Sequence, residues 1–407
     1  MLHVVTPEQA VETVLREFGG RRTGEEQVTL AAAAGRVLAR PVAAAEFVPG
    51  FDRSTVDGWA VRAADTFGCS DSLPALLDMA GQVQMGENAA APLSPGSGVK
   101  VPTGGAVPPG ADAVVMAEYT EEYGDGTFGV LKPAAPGENL IYRGDDVAPG
   151  QEVLPAGRRI GPADIGALAA LGAARVWVRR RPVVGILSTG DELVPLRQKP
   201  GPGQVRDVNA HMLAAAAAAW GARCLPPVLL PDREEQLEEA VDRLASRCDV
   251  VVLSGGSSVG EKDAAARVLN RLGEILFHGI AMKPGKPTLL ARVREVPVLG
   301  LPGHPVAAFF TAHLLLRPLL AQLTGRRLET IRVTARLSGP VPANHGRAQY
   351  AGVFLRREEG ELVAVPAHSK SGLITTLAGS DGYLCVPRDC EGFPAGQQVE
   401  VTLYSMD

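Results

Sequence analysis

The middle of the chain alternates short apolar runs with amphipathic segments. Residues 183–187 (VVGIL), 249–253 (DVVVL) and 296–301 (VPVLGL) have the length and composition of buried strands. Between them, Leu237, Val241 and Leu244 fall on one face of a helix predicted at 234–247. Further helices are predicted at 211–220, 263–272 and 305–323, and further strands at 223–230, 274–280 and 288–293. Strands that alternate with helices in this way predict a three-layer, mostly parallel α/β domain.

Different patterns flank this domain. Thr6, Pro7 and Gln9 have the types and spacing of an N-cap, a first helical residue and a capping box, which predicts a helix up to residue 18. Residues 47–140 hold short apolar runs between Gly and Pro turns and are predicted to be β-rich. Short runs between 329 and 407 predict a small C-terminal β domain. A helix at 162–171 and a strand at 175–178 are expected to pack with the N-terminal helix as a discontinuous domain.

Length and charge narrow the class of protein. The chain has 407 residues, of which 46% are hydrophobic and 21% charged. At roughly 100–200 residues a domain, this predicts three or four domains. The net charge is −5 and no long basic run occurs, which argues against general nucleic-acid binding. An anionic ligand would therefore be bound by local clusters of basic residues.

The sequence predicts a cytoplasmic protein. Its first residues, MLHVVTPE, lack the basic start and apolar run of a signal peptide. The most apolar predicted helix, around 307–320, is interrupted by His313 and Arg317 and is predicted to be too short to span a bilayer. The five cysteines form no C-x-x-C pair, which predicts reduced thiols.

Polar and glycine-rich loops follow the predicted strands of the α/β domain. In the loop 188–193 (STGDEL), Ser188 and Thr189 could bind an oxyanion, whereas the two carboxylates could bind a cation. In the loop 254–263 (SGGSSVGEKD), Ser254, Gly255 and Gly256 would let the backbone approach a phosphate ahead of a helix. Each loop taken alone is equally consistent with an ordinary turn or helix cap. If the strands are parallel, however, the loops meet at one edge of the sheet and predict a pocket for a phosphorylated ligand with Mg²⁺.

A basic loop lies between two other predicted strands. Residues 279–288 (GIAMKPGKPT) place Lys283 and Lys286 among two prolines and a glycine. Proline restricts φ and glycine permits turns that other residues disfavour. The loop could be a rigid solvated turn, but two positive charges on a stiff loop indicate an anionic ligand that is held in one place.

The order of several short motifs resembles one enzyme family. These motifs are FDRSTVDGWA, VPTGGAVPPGADAVV, GENLIYRGDDV, GILSTGDEL, VVLSGGSSVGEKD, MKPGKP, GLPGHPVAAF and SGLITTLAGSDGYLCVP. Taken singly, the N-terminal motifs are mostly turn sequences. As an ordered set that covers nearly the whole chain, they resemble the molybdopterin molybdenumtransferases, which carry out the last step of molybdenum-cofactor assembly.

The resemblance implies a fold, a reaction and partners. The fold class would be multidomain α/β plus β: a discontinuous linker domain (1–45 with 141–178), a β-rich inserted domain (46–140), a molybdopterin-binding-like α/β domain (179–327) and a C-terminal β domain (328–407). Adenylyl-molybdopterin and molybdate would react with the help of Mg²⁺ to give molybdenum cofactor and AMP. The protein would be an elongated homodimer with its active cleft shared between two chains. It would contact molybdopterin adenylyltransferase and molybdoenzymes transiently, and neither nucleic acid nor membrane.

The resemblance also implies roles for individual residues. Catalytic roles fall on Asp57, Thr103, Asp146, Glu192, Asp232 and Asp263. Of these, Glu192, Asp232 and Asp263 would be the Mg²⁺ ligands. Lys283, Lys286, Pro287, Arg347 and Ser371 resemble the molybdate-binding set, in which the cationic groups would neutralise a small tetrahedral dianion.

Three positions depart from the family pattern. His304 stands where the family usually has Asn, Trp59 replaces the usual Tyr, and Arg233 interrupts a common pair of acids beside Asp232. Two other functions are compatible with this resemblance: molybdopterin adenylylation by ATP, which a similar α/β domain performs, and a non-catalytic dimeric scaffold. The Lys283/Lys286 loop and Arg347 favour molybdenum insertion. The residues do not discriminate molybdate from tungstate, because the two dianions are nearly the same size.

Overall fold

The computed structural model describes residues 4–88, 91–255, 264–344, 346–367 and 370–404. Its α-helices are α1 (Pro7–Phe18), α2 (Pro162–Ala170), α3 (Val208–Ala219), α4 (Glu234–Ala245), α5 (Ala264–Leu272), α6 (Pro305–Thr311) and α7 (Arg317–Thr324). The predicted capping box of α1 is present, since the Thr6 hydroxyl accepts from the Gln9 amide and the Gln9 side chain accepts from the Thr6 amide. These reciprocal bonds satisfy two of the amides that a helix start leaves free.

A mixed sheet forms the centre of the α/β domain. Its main path runs in the order Arg223–Cys224, Val183–Thr189, Val250–Ser254, Val296–Leu301, Leu289–Val293 and Glu274–His278, with Val228–Leu230 also paired to Val183–Thr189. The first four strands are parallel and the last two pairings are antiparallel. Side chains alternate between two cores: Val250 and Val252 pack with α3, whereas Val251 and Leu253 pack with α4 and α5. The predicted three-layer α/β class is confirmed.

Two details of this domain differ from the predictions. The expected strand 223–230 is two short strands, because Pro226 and Pro227 lie at the break and proline has no amide for the sheet ladder. Helix α1, which was predicted to belong to the linker domain, buries Ala10, Val14 and Phe18 in the α3 side of the α/β core. Only this helix of the predicted first segment packs elsewhere, because the apolar face of α1 lies against that core, whereas Glu25–Thr29 and Val42–Ala43 pair within the linker region.

Helices α6 and α7 belong to one helical run, Pro305–Thr324, joined by a π-helical turn at Ala312–Leu316. This run has 20 residues and, among the described residues, is the one helix long and apolar enough to cross a bilayer. The predicted limit on its length was therefore wrong. Its location accounts for its composition, since 72% of its apolar window is buried inside the protein, as in the core helix of a soluble protein.

The linker region joins chain segments that are distant in sequence. Glu25–Thr29 pairs antiparallel with Arg175–Arg179, and Val42–Ala43 pairs with Glu152–Leu154. Leu38, Leu154, Ile160, Leu168 and Val178 form its core. The chain leaves and re-enters this region on either side of the inserted β-rich domain.

The inserted domain is a mostly antiparallel sheet. Its strand order is Ala113–Met116, Gly58–Val61, Ser97–Val101, Ala75–Gln82, Thr127–Val130 and Thr120–Glu122. Trp59 stacks on Phe128 with ring centroids 4.0 Å apart, and both rings are buried. A two-stranded pairing of Arg53–Ser54 with Leu140–Ile141 closes the end of the domain where the chain returns to the linker.

The C-terminal domain is a small barrel. Ala348–Glu358, Glu361–Pro366, Arg332–Leu337, Gln398–Leu403 and Gly382–Val386 pair in that order, and the last strand pairs back to the first. Met282–Lys283 of the α/β domain adds to this sheet, parallel to Ala348–Glu358. The start of the basic loop is thus held by backbone pairing with the C-terminal domain.

Candidate active site

The functional loops meet at one edge of the α/β sheet. The parallel strands Val183–Thr189, Val250–Ser254 and Val296–Leu301 end at the same edge. Glu274–His278 runs in the same direction as Val296–Leu301, because two antiparallel pairings separate them. The loops that follow all four strands therefore lie at the edge where ligands bind in open α/β sheets. Two cavities open there, of about 860 Å³ and about 890 Å³.

The first cavity lies between the basic loop and the C-terminal barrel and is lined by positive charge. Its cationic residues are Lys283, Lys286, Arg347 and Lys370. Pro287 and Ser371 also line it, and none of its described lining residues is Asp or Glu. The predicted molybdate-binding set thus comes together around one cavity whose charge suits a small dianion.

The path of the basic loop depends on Gly285. Its φ is +128°, and a Cβ there would lie 2.7 Å from Thr311 Cγ2 and 2.9 Å from Met282 Sδ. The Thr288 hydroxyl donates to the Gly285 carbonyl over 2.7 Å, and the Ile280 amide donates to the Lys286 carbonyl over 3.0 Å. These contacts hold the backbone between the two lysines in one conformation, as expected for a site that positions an anion.

The second cavity adjoins the first and contains carboxylates. Thr189 Oγ1 donates to Asp232 Oδ1 over 2.7 Å, and the Asp232 amide donates to Asp191 Oδ1 over 3.2 Å. The Glu192 side chain folds back over Gly190, where a Cβ would lie 2.6 Å from one of its carboxylate oxygens. Thr189, Glu192, Asp232, Ser254 and Gly255 line this cavity.

The donor set of the second cavity fits a magnesium ion. Glu192 and Asp232 provide two carboxylates, and Mg²⁺ is usually bound by one or two carboxylates together with water and substrate phosphates. In the described part of the chain, no three His, Cys, Asp or Glu side chains form a group that could hold a metal ion by themselves. The predicted third ligand, Asp263, and the predicted phosphate-loop residue Gly256 lie outside the described residues.

The two cavities share a wall. Pro287, Pro302 and His304 line both of them. His304 Nδ1 lies 2.9 Å from Ser371 Oγ, and the Val306 amide donates to the Ser371 carbonyl over 3.0 Å. The turn before α6 therefore holds a residue of the C-terminal domain at the boundary between the cavities.

The inserted domain carries a separate pair of predicted residues. Asp57 Oδ1 accepts from the Thr103 amide over 2.7 Å and from the Thr103 hydroxyl over 3.0 Å. These two hydrogen bonds lower the pKa of Asp57, the backbone donor most, because they stabilise the charged carboxylate. Both residues are exposed and neither lines the two cavities.

Asp146 lies in another surface groove, at the junction of the inserted and linker regions. The groove has a volume of about 480 Å³, and Arg53 and Arg143 line it together with Asp146. The Arg143 amide donates to Asp52 Oδ1 over 2.7 Å, which fixes this turn against the start of the FDRSTVDGWA segment. Within one chain, therefore, the residues predicted from the N-terminal motifs stay apart from the two cavities.

Comparison with known proteins decides the family. Residues 5–172 match the family described as "MoeA N-terminal region (domain I and II)", residues 185–322 the "Probable molybdopterin binding domain" and residues 334–404 the "MoeA C-terminal region (domain IV)". A protein of Bacillus subtilis (strain 168) named molybdopterin molybdenumtransferase is 33% identical over 99% of this chain and 95% of its own length. The chain belongs to the molybdopterin molybdenumtransferase family.

Other relatives agree with this assignment. Molybdopterin molybdenumtransferase 2 of Mycobacterium tuberculosis (strain ATCC 25618 / H37Rv) is 34% identical over 92% of this chain and 94% of its own length. The crystal structure of the molybdopterin biosynthesis MoeA protein from Pyrococcus horikoshii OT3 superposes with a TM-score of 0.87 at 32% identity, over 98% of this chain and 100% of that one. The family resemblance of the motifs and the predicted multidomain fold class are confirmed.

Two residues of this family member have positions that the motifs did not indicate. Ser188, predicted to bind substrate, is fully buried and lines neither cavity, and its hydroxyl has no hydrogen-bond partner among the residues that the structure describes. Asn209, which was not predicted, lines the second cavity and donates from Nδ2 to Ser254 Oγ over 2.7 Å and to the Gly303 carbonyl over 2.8 Å. Asn209 follows the N-cap Asp207 in the first turn of α3, so its sequence signal is the same as that of an ordinary helix start.

Proposed function

We propose that this protein inserts molybdenum from molybdate into adenylylated molybdopterin and releases AMP. The main support for this proposal is that two adjoining cavities are lined by different charged groups. One contains four cationic side chains, and the other has carboxylates beside a glycine-rich strand end. A dianion and a phosphorylated substrate that occupied these cavities would meet at the shared wall of Pro287, Pro302 and His304.

The residues of the first cavity would hold the oxyanion. Lys283, Lys286 and Arg347 would neutralise molybdate, and the conformation imposed by Gly285 would keep the two lysines in place. Ser371 would donate a hydrogen bond to one of its oxygens. Holding the dianion next to the dithiolene sulfurs lowers the barrier by proximity, because the encounter has already taken place in the bound state.

The residues of the second cavity would hold the phosphate side of the substrate. Glu192, Asp232 and Asp263 are proposed to bind Mg²⁺, which would neutralise charge on the departing AMP phosphate. The hydrogen bond from Thr189 Oγ1 orients Asp232. Gly255, with a φ of +95°, lets its backbone pass close to Thr189, because a Cβ there would lie 2.1 Å from the Thr189 carbonyl oxygen.

We also propose that the active unit is a homodimer in the cytoplasm. Asp57, Thr103 and Asp146 match functional positions of the family but line neither cavity of their own chain. A second copy that brought its inserted domain over the cavities would unite the two sets. All five cysteines are free thiols, which supports a reducing compartment.

The test is AMP release from purified adenylyl-molybdopterin with Mg²⁺, in the presence and absence of molybdate. We expect molybdate-dependent release that is lost in Lys283→Ala. The matched control is Lys199→Ala, which removes an exposed lysine that lines neither cavity. Adenylylation of molybdopterin by ATP without molybdate would instead support the adenylyltransferase alternative. Full turnover in Lys283→Ala would rule out the basic loop as the oxyanion site.

A further inference from the structure

The wall between the two cavities contains a hydrogen bond whose direction matters. His304 Nδ1 and Ser371 Oγ are 2.9 Å apart, and either atom can be the donor, depending on where the imidazole carries its hydrogen. Ser371 is half-buried in the lining of the first cavity, and His304 is exposed between the two cavities. The pair thus joins the α/β domain to the C-terminal domain beside the basic residues.

The single hydroxyl hydrogen of Ser371 limits how this residue can bind an oxyanion. A serine hydroxyl has one hydrogen to donate, and the oxygens of a tetrahedral dianion are acceptors. If Ser371 donates to His304, its only hydrogen is used and its lone pairs face the anion. If His304 Nδ1–H donates to Ser371, the hydroxyl hydrogen is free to point at the anion. Oxyanion binding therefore requires the second arrangement.

We propose that His304 is a positioning residue that turns the Ser371 hydroxyl into a donor toward the bound oxyanion. This inference rests on the proposed binding of molybdate in the first cavity. An imidazolium ring always carries a hydrogen at Nδ1, whereas a neutral ring does so in only one of its two tautomers. Oxyanion binding by Ser371 therefore requires that His304 carry its hydrogen at Nδ1, which the imidazolium and one neutral tautomer both provide.

The backbone of the turn supports this role. The Gly303 carbonyl accepts from Asn209 Nδ2 over 2.8 Å, and the Val306 amide donates to the Ser371 carbonyl over 3.0 Å. The main chain on both sides of His304 is therefore held in place by hydrogen bonds. This backbone positions the ring beside Ser371, where a hydrogen at Nδ1 sets the direction of the Ser371 hydroxyl.

Other charged groups lie on both sides of His304. Those lining the first cavity are Lys283, Lys286, Arg347 and Lys370, and those lining the second are Glu192, Arg206, Asp207, Asp232, Glu234 and Arg267. These charges are the same in the wild type and in variants of His304. A difference in oxyanion affinity among those variants therefore reports the change at position 304.

The experiment is isothermal titration of the purified full-length protein and its His304 variants with molybdate. His304→Asn supplies an amide N–H at the same place, so it should keep the wild-type affinity. His304→Ala leaves Ser371 without its donor and should bind roughly ten-fold more weakly, as for one lost hydrogen bond to a charged group.

Two controls make the result specific. His211→Asn changes an exposed histidine of α3 that lines neither cavity and should behave as the wild type. Ser371→Ala should also weaken molybdate binding, and its effect should not add to that of His304→Ala, because both changes remove the same interaction.

The outcomes distinguish this inference from the proposed function. If the wild type binds molybdate but His304→Asn binds it as weakly as His304→Ala, the inference is overturned and the oxyanion site stands. Equal affinity of His304→Ala and wild type also overturns it. If the wild type binds no molybdate, the proposed oxyanion site is itself wrong and the inference falls with it.

Discussion

Mild acid should lower the free energy of unfolding of the protein, because the His313 ring is buried. The ring is 6% exposed and lies among aromatic side chains between the Pro305–Thr324 run and the C-terminal barrel. Its centroid is 5.7 Å from that of Trp220 and 5.4 Å from that of Tyr383. Burial, with a smaller contribution from the Arg317 charge, lowers the pKa of His313 from 6.5 to about 3. The folded protein therefore keeps this ring neutral at pH values where the unfolded chain protonates it.

The sign and size of the effect follow from linkage. Between pH 6.5 and about pH 3 the unfolded chain binds more protons than the folded one, so the free energy of unfolding falls as the pH falls. Above pH 6.5 the ring is neutral in both the folded and the unfolded state, so the protein keeps its full stability with respect to this residue. A change from about pH 7.5 to about pH 5 should cost about 2 kcal/mol through this one residue. That is a large fraction of the stability of an ordinary domain.

The assay is urea unfolding followed by tryptophan fluorescence at the two pH values. His313→Phe keeps an aromatic ring in the cluster but cannot take up a proton. Its free energy of unfolding should therefore fall by about 2 kcal/mol less than that of the wild type between the two conditions. His211→Asn, at an exposed position on α3, should lose as much stability as the wild type.

The pH-dependent difference is the quantity that decides this prediction. His313→Phe changes packing as well, and that change shifts its stability by the same amount at both pH values. If the variant and the wild type lose equal stability between the two conditions, His313 does not stay neutral in the folded protein, and the reasoning from burial fails.

Three further predictions concern the candidate site. Gly285→Ala should destabilise the protein by about 1–3 kcal/mol, because its Cβ overlaps packed side chains, and it should weaken molybdate binding in a titration. The control is Gly360→Ala, where φ is positive but no atom lies within 4 Å of the added Cβ, so that it reports the backbone contribution alone. Equal losses of stability in the two variants would refute the packing argument. Thr103→Val should raise the pKa of Asp57 toward its ordinary value, because one of two donors is lost; an unchanged carboxyl titration in NMR would contradict this. Inactive Asp57→Ala and Lys283→Ala proteins should recover partial activity when mixed, and no recovery despite confirmed subunit exchange would count against a shared site.

Much of the architecture was predictable because local patterns specify local structure. Each of three elements is specified by its own residues: α1 by its capping box, α4 by hydrophobic residues at helical spacing, and Val250–Ser254 by a continuous apolar run. Parallel strands then place their following loops at one edge, so the meeting of the Thr189, Ser254 and Lys283 loops followed from the strand order. The break of the strand after Arg223 could also have been predicted from its two prolines.

The predictions were incomplete where packing between distant segments determines the position of an element. Nothing local in α1 says whether its apolar face covers the linker or the α/β sheet, and burial of Phe18 in the α/β core settles it. Such choices depend on which apolar surfaces meet, and the surfaces belong to segments far apart in the chain.

The sequence by itself determined the family, the order of strands and helices, and several of the polar and charged residues that line the two cavities. Only the tertiary structure decided how they are arranged. Pairing of Met282–Lys283 with Ala348–Gln349 brings the basic loop to Arg347, and the contact of His304 with Ser371 joins two domains at the wall between the cavities. The physical reason is that a motif specifies its own backbone and chemistry through near neighbours, whereas sheet register and side-chain packing depend on the whole folded chain.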